Sequence, residues 1–281
     1  MPTHSEARVG GREVLGWRHA RTLPLTTVLP EYLFLLIAGF LGGFVNSVAG
    51  GGSFITFPAL LFVGVPPVSA NATNTFASCS GYLSGAYAFR RDLSRHRREL
   101  PGFIAVGLLG GILGAWLLLK TPESLFREAI PWLLLFATLL FIFGGRLNAL
   151  LKRLGSLHRH ASSAGRLMLW LTLLAVSVYG GFFNAGLGII ILSYLALAGY
   201  SDINAMNGLK LLVSSAVSLI AIALFAVDGV IAWHEGSVVL LGTLVGGYAA
   251  ARLSRRLPQQ YVRGGVIVAS IAVTGYFFHA G

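Results

Sequence analysis

Apolar positions run through this chain in long unbroken blocks, and polar residues gather in the short segments between them. Not one Asp, Glu, Lys or Arg occurs from Tyr32 to Phe89, and residues 101–119, 129–145, 236–251 and 264–280 are equally free of charge. A helix needs roughly 17–25 apolar residues to cross the hydrocarbon of a bilayer. The blocks cover 32–89, 101–119, 129–150, 167–227, 236–251 and 264–279. Two of them are far too long for one crossing. The pattern predicts an all-α polytopic membrane protein with about eight transmembrane helices plus broken or re-entrant segments. Each long block must make an odd number of crossings. Either a re-entrant pair precedes one spanning helix, or three segments cross and the short middle one is distorted.

The two long blocks are interrupted alike. The first reads Gly42-Gly43-Phe44-Val45-Asn46, then Gly50-Gly51-Gly52-Ser53, an apolar run, and Gly64-Val65-Pro66-Pro67. The second reads Gly180-Gly181-Phe182-Phe183-Asn184, then Gly186-Leu187-Gly188, an apolar run, and Gly199-Tyr200-Ser201-Asp202. Further on, Asn71-Ala72-Thr73-Asn74 corresponds to Asn204-Ala205-Met206-Asn207, and Gly110-Gly111, Lys120 and Pro122 to Gly246-Gly247, Arg256 and Pro258. Polar residues and prolines that agree in three regions indicate an internal duplication. It divides the chain into a polar N-terminal tail (1–31), a first transmembrane repeat (32–150), a basic linker (151–166) and a second transmembrane repeat (167–281).

Charge adds orientation. Of 281 residues, 21 are Lys or Arg and 10 are Asp or Glu, less than half the charged share of about 25% typical of soluble domains. Mean hydropathy is +0.75. An ordinary soluble enzyme, a disordered chain and a nucleic-acid partner are thereby excluded. The basic residues cluster in short loops, where they act as topology signals. Loop 90–99 carries Arg90, Arg91, Arg95, Arg97 and Arg98, whereas loop 228–235 carries none. Alternation places these equivalent loops on opposite sides, so the repeats are expected to be inverted, as in many secondary transporters. It also places the N-terminus outside, in conflict with the four Arg of its tail. That tail lacks a compact apolar core and reads as a polar extension, not a cleaved leader. Cys79 is the single cysteine, so no intrachain disulfide is expected.

Polar residues at membrane depth carry the candidate chemistry. Glycine costs roughly 1 kcal/mol against Ala in a helix interior, so Gly50, Gly51 and Gly52 before Ser53 should unwind the helix, as should Gly188 and its neighbours. Irregular backbone at that depth must be buried in protein or line a wet cavity, and the helix starting at such a break offers its N–H groups to an anion. Close helix packing is the alternative use of glycine. It is the reading preferred for Gly107/Gly111, Gly110/Gly114 and Gly242/Gly246. Beyond each break runs a polar stripe: Asn71, Thr73, Asn74, Thr75 and Ser78 in the first half, and Asn204, Asn207, Lys210, Ser214 and Ser218 in the second. Such stripes line a path or hold the bundle by interhelical hydrogen bonds, and both readings stay open here. Lys210 is the sharpest candidate, because an intramembrane cation costs about 3 kcal/mol or more and marks a functional position by default. Its bland alternatives are snorkelling to the interface and pairing with Asp202. Trp132, Trp170 and Tyr276 read as interface anchors.

These stretches resemble the sulfite exporter TauE/SafE family of membrane permeases. The resemblance rests on Gly42-Gly43-Phe44-Val45-Asn46 through Gly50-Gly51-Gly52 and Pro58-Ala59-Leu60, on Ala72-Thr73-Asn74, on Gly180-Gly181-Phe182 through Gly188, and on Asn207 to Lys210. It extends over nearly all of the chain after residue 32. It implies two homologous halves and movement of small organosulfur or related anions such as sulfite or sulfonates. The family often has a Lys after the first Thr-Asn pair, where this chain has Thr75.

The residues agree in kind. Glycine-exposed N–H groups, two amide-and-hydroxyl stripes and one buried cation suit a small anion held between the breaks by Asn46, Asn184, Thr73, Ser78 and Lys210. An anion channel shares these features. An intramembrane enzyme would need a buried nucleophile with its base or paired carboxylates, and none of the seven histidines lies in the middle of a span. Asp202 stands as a single buried carboxylate. No cofactor or metal site is expected. The partners expected are a small anion and the lipid bilayer, with assembly into a homo-oligomer left open, in a multi-pass protein of the cell membrane.

Overall fold

A computed structural model describes residues 25–48, 51–157, 163–253 and 259–280, and every regular element among them is helical. In chain order these are α1 (Leu25–Val48), α2 (Ser53–Phe62), α3 (Pro67–Ala88), the short α4 (Arg90–Leu93), α5 (Leu100–Lys120), α6 (Glu123–Leu157), α7 (Ser163–Phe182), α8 (Leu187–Leu197), α9 (Ile203–Val227), α10 (Trp233–Leu253) and α11 (Gln259–Ala280). Five stretches are long and apolar enough to span: Leu29–Ser47, Leu100–Lys120, Glu123–Gly145, Gly165–Phe182 and Ile203–Val227. With α3, α10 and α11, at 22, 21 and 22 residues, they account for the long helices expected. The chain is an all-α, multi-pass membrane protein.

Helices α2 and α8, of 10 and 11 residues, are only about 15 Å long, half the ~30 Å hydrocarbon. Neither crosses alone. Each follows a break and doubles back on the helix before it. A Cβ built on Gly42 of α1 would lie 2.5 Å from the Thr56 methyl of α2, and one on Gly180 of α7 would lie 2.6 Å from Leu187 of α8. Each short helix thus lies back along the helix that precedes it.

Packing is reciprocal. α1 lies on α10 as α7 lies on α5, α3 on α10 as α9 on α5, and α2 on α11 as α8 on α6. Small residues set the closest seams. Leu36 abuts Gly242 and Phe40 abuts Gly246, while Ser177 abuts Gly110 and Gly181 abuts Gly114. The glycine pairs read as packing faces therefore pack, and both seams are parallel. The central pair α3 and α9 is antiparallel, with Gly85 beside Leu211 and Phe89 beside Gly208.

The two ends of the bundle differ. At one, the start of α3 meets the α5–α6 and α9–α10 turns: Val68 N–H donates to Glu123 Oε1 (3.0 Å), Ser69 Oγ to the Val230 carbonyl (2.5 Å), and Ala232 N–H to Thr73 Oγ1 (2.9 Å). At the other, the start of α9 meets the arginine-rich segment 90–99, where Tyr200 donates to Glu99 and Arg95 pairs with Asp202 at 3.9 Å. Equivalent helices thus begin at opposite ends. Phe54, Phe57 and Leu60 of α2 fill the larger core against Phe126, Ile130, Leu134 and Phe141 of α6. α8 fills a second core with Leu187, Ile191 and Leu195. Two segment readings shift: α1 begins inside the 1–31 stretch, and α6 continues to Leu157 through part of the basic linker. A 35-residue helix rises about 52 Å, so α6 outruns the hydrocarbon.

Candidate functional site

Both expected breaks are present. α1 ends at Val48 and α2 starts at Ser53, with Gly51 at φ 87°; α7 ends at Phe182 and α8 starts at Leu187, with Gly186 at φ 80°. Those left-handed conformations cost an L side chain roughly 1–2 kcal/mol. Gly52 is held by closeness instead: a Cβ there would lie 2.9 Å from Asn46 Cβ and against the Gly42 carbonyl. Gly50 lies outside the described residues.

The first stripe is largely spent on the bundle. Asn74 Nδ2 donates to Ser53 Oγ (3.2 Å) and its Oδ1 accepts from Thr56 Oγ1 (2.5 Å), which ties α3 to the start of α2. Asn71 Nδ2 donates to the Phe182 carbonyl at the end of α7 (2.8 Å), and Thr75 Oγ1 donates back to the Asn71 carbonyl (2.9 Å). Thr73 is engaged at the bundle end with Ala232, far from Lys210. It does not join the site expected of it. All four are buried, where an unpaired polar group would cost ~1–3 kcal/mol.

The two break asparagines differ. Asn184, buried, accepts from Tyr82 Oη (2.6 Å) and donates to Ser218 Oγ (3.2 Å), so α3 and α9 clasp the second break together. Asn46 is half-buried with no hydrogen-bond partner among the described residues, and its amide faces Gly81 at the turn before Tyr82. Ser78 is half-buried on the same stretch of α3. Ser214 is buried one turn beyond Lys210 on α9.

Lys210 lies over the start of α8. A Cβ on Gly188 would meet its Cδ at 3.4 Å, so glycine there makes room for the lysine stem. Its Nζ donates to Asn207 Oδ1 (3.1 Å), and no carboxylate lies within ion-pair distance among the described residues. Asp202 is not its partner. It is exposed instead of buried, because it caps α9 by accepting from Asn204 N–H (2.9 Å) and faces Arg95. Lys210 and the Asn184–Ser218 contact are eight residues apart on α9, about 12 Å. The candidate residues therefore form a line from Lys210 and Gly188 toward Asn184, not a single cluster.

Two features escaped the sequence. Tyr82 sits four residues beyond Ser78, so the stripe's own spacing pointed to it. A cleft of about 470 Å³ opens at the arginine-rich end between the starts of α5 and α7 and the α8–α9 turn, walled by Phe103, Trp170, Tyr194 and Tyr200. Burial first, and then its hydrogen bond to Glu99, hold the Tyr200 phenol far above the ordinary tyrosine range. Among the described residues no group of three or more His, Cys, Asp or Glu could hold a metal.

Comparison with known proteins places these features in context. Residues 35–277 match the family described as sulfite exporter TauE/SafE. The chain is 30% identical over 241 residues to a "Probable membrane transporter protein" of Haemophilus influenzae, covering 85% of this chain and 91% of the relative. It is 28% identical to "Probable membrane transporter protein ORF9" of Sinorhizobium sp., at 85% and 89% coverage. It is likewise 28% identical to "Probable membrane transporter protein YfcA" of Escherichia coli strain K12, at 85% and 87%. No solved structure matches at a significant level.

Proposed function

The chain belongs to the sulfite exporter TauE/SafE family and is a membrane transporter, and from that premise we propose that it carries a small anion: sulfite, a sulfonate or another organosulfur anion. The anion binds between the two broken helices and is exposed to each side in turn. The observation that carries this reading is Lys210, a cation within a charge-free helix stretch, free of any carboxylate among the described residues and seated over the start of α8. Unwound backbone at two equivalent places supports it, since a helix start beside a cation suits negative charge. Asn46, Ser78 and Asn207 offer the remaining polar contacts. Segments 32–150 and 167–281 serve as inverted homologous halves that rock about the site. The antiparallel α3–α9 pair and the reciprocal seams support that motion. The arginine-rich end faces the cytoplasm, in the inner membrane of a bacterium, and the protein performs no catalysis.

Reconstituted protein tests the reading. With sulfite on both sides of the liposome, the wild type should exchange label with saturation. Lys210→Met should lose that exchange while keeping its melting temperature in detergent. Unchanged kinetics in Lys210→Met would remove the lysine from the site, and an ohmic current in place of saturable exchange would make the protein a channel.

A further inference from the structure

We propose that the turn joining α8 to α9, residues 198–202, is the gate at the arginine-rich end, and that the hydrogen bond from Tyr200 to Glu99 is its latch. The inference rests on the alternating-access reading and names the part that moves. The turn belongs to the second half and Glu99 to the first, so the latch crosses between them. Around it, the His96 ring lies 5.4 Å from the Tyr200 ring and the Phe103 ring 6.3 Å from it. Arg95 pairs with Asp202 at 3.9 Å, with side-chain exposures of 71% and 47%. Exposed ion pairs of that length hold little, so the phenol–carboxylate bond is the firm contact. Asp202 caps α9, and Lys210 lies eight residues further in. The turn therefore stands directly over the approach to the lysine.

The equivalent end is built differently. The start of α3, just after the 63–66 turn, is tied to the second half by Ser69 and Thr73 and within its own half by Val68, all through bonds of 2.5–3.0 Å that involve main-chain groups. At the arginine-rich end, the polar contacts that join the turn to the first half are made by side chains among the described residues, and the cleft of about 470 Å³ beside Tyr200 leaves it somewhere to go. One end is bolted by backbone, and the other is closed by a phenol.

The test reads accessibility without any transported anion. In a Cys79→Ala background, Asn207→Cys places a thiol next to Lys210. Its rate of labelling by a membrane-impermeant maleimide is measured in inside-out membrane vesicles. Tyr200→Phe keeps the ring contacts and deletes only the latch, and Glu99→Gln weakens it from the other side. Each should raise the labelling rate about fivefold, the effect of one net hydrogen bond on an equilibrium. The labelling rate of a Thr73→Cys reporter at the opposite end, measured in right-side-out vesicles, should not rise. Rates unchanged in both variants, or raised equally at both reporters, would overturn the gate. Should Tyr200→Phe fold poorly, Glu99→Gln alone carries the comparison. Tyr200-dependent labelling without sulfite exchange would refute the substrate and keep the gate; Lys210-dependent exchange with Tyr200-independent labelling would do the reverse.

Discussion

Gly242→Ala should loosen the α1–α10 seam and leave the rest of the bundle intact. A methyl built at Gly242 lies 2.5 Å from the Leu36 carbonyl oxygen, 2.8 Å from Phe40 N and 2.9 Å from Gly39 Cα, all main chain. An ordinary carbon–oxygen contact is about 3.3–3.6 Å, so the helices must part by roughly 1 Å. The three nearest atoms are all main chain and cannot swing aside as a side chain could. The same seam is tight at Gly39, whose Cβ would lie 2.5 Å from the Val239 carbonyl, so separation forfeits dispersion contacts along its length. Overpacking costs about 1–3 kcal/mol, and a backbone collision belongs at the upper end. Alanine returns up to ~1 kcal/mol of helix propensity, which leaves a net loss of about 2 kcal/mol. The assay is thermal unfolding of purified protein followed by tryptophan fluorescence, beside Gly275→Ala on α11. A methyl at Gly275 meets nothing within 4 Å, so that variant should melt at or slightly above the wild type. If Gly242→Ala melts as high as Gly275→Ala, the close approach of α1 and α10 is wrong.

Asn74→Ala removes a buried amide that serves Ser53 and Thr56 and should cost about 2 kcal/mol, read as a lower melting temperature. Asn46→Ala, whose amide has no hydrogen-bond partner among the described residues, should stay within about 0.5 kcal/mol of the wild type while raising the KM for sulfite exchange. Tyr200→Phe should be less stable than the wild type at neutral pH. The phenol's folded pKa lies above its ordinary 10.0, so its contribution is intact below that value and is lost as pH rises through the folded one. The stability gap between the two proteins should therefore close in strongly alkaline buffer; a gap that widens there would refute the assigned hydrogen bond.

Membrane residence, helix breaks at Gly51 and Gly186, and the duplicated order of elements were all legible in the amino-acid string. Each follows from a local rule: hydrocarbon excludes charge, glycine unwinds helices, and a duplicated stretch keeps its punctuation. Lys210 was conspicuous for the same reason. What the string withheld was partnership. An asparagine in a polar stripe looks alike whether it faces a solute or ties two helices, and only the fold committed Asn71, Asn74 and Thr73 to the bundle while leaving Asn46 without a hydrogen-bond partner among the described residues. Asp202 looked buried because it falls inside the long apolar block 167–227, yet the helix start it caps lies at the surface, opposite Arg95. Tyr82 and Tyr200 gained their meaning from residues about a hundred positions away, Asn184 and Glu99. Hydropathy and spacing report a residue's immediate surroundings along the chain, whereas a hydrogen bond's second half is supplied by whichever helix packing brings alongside.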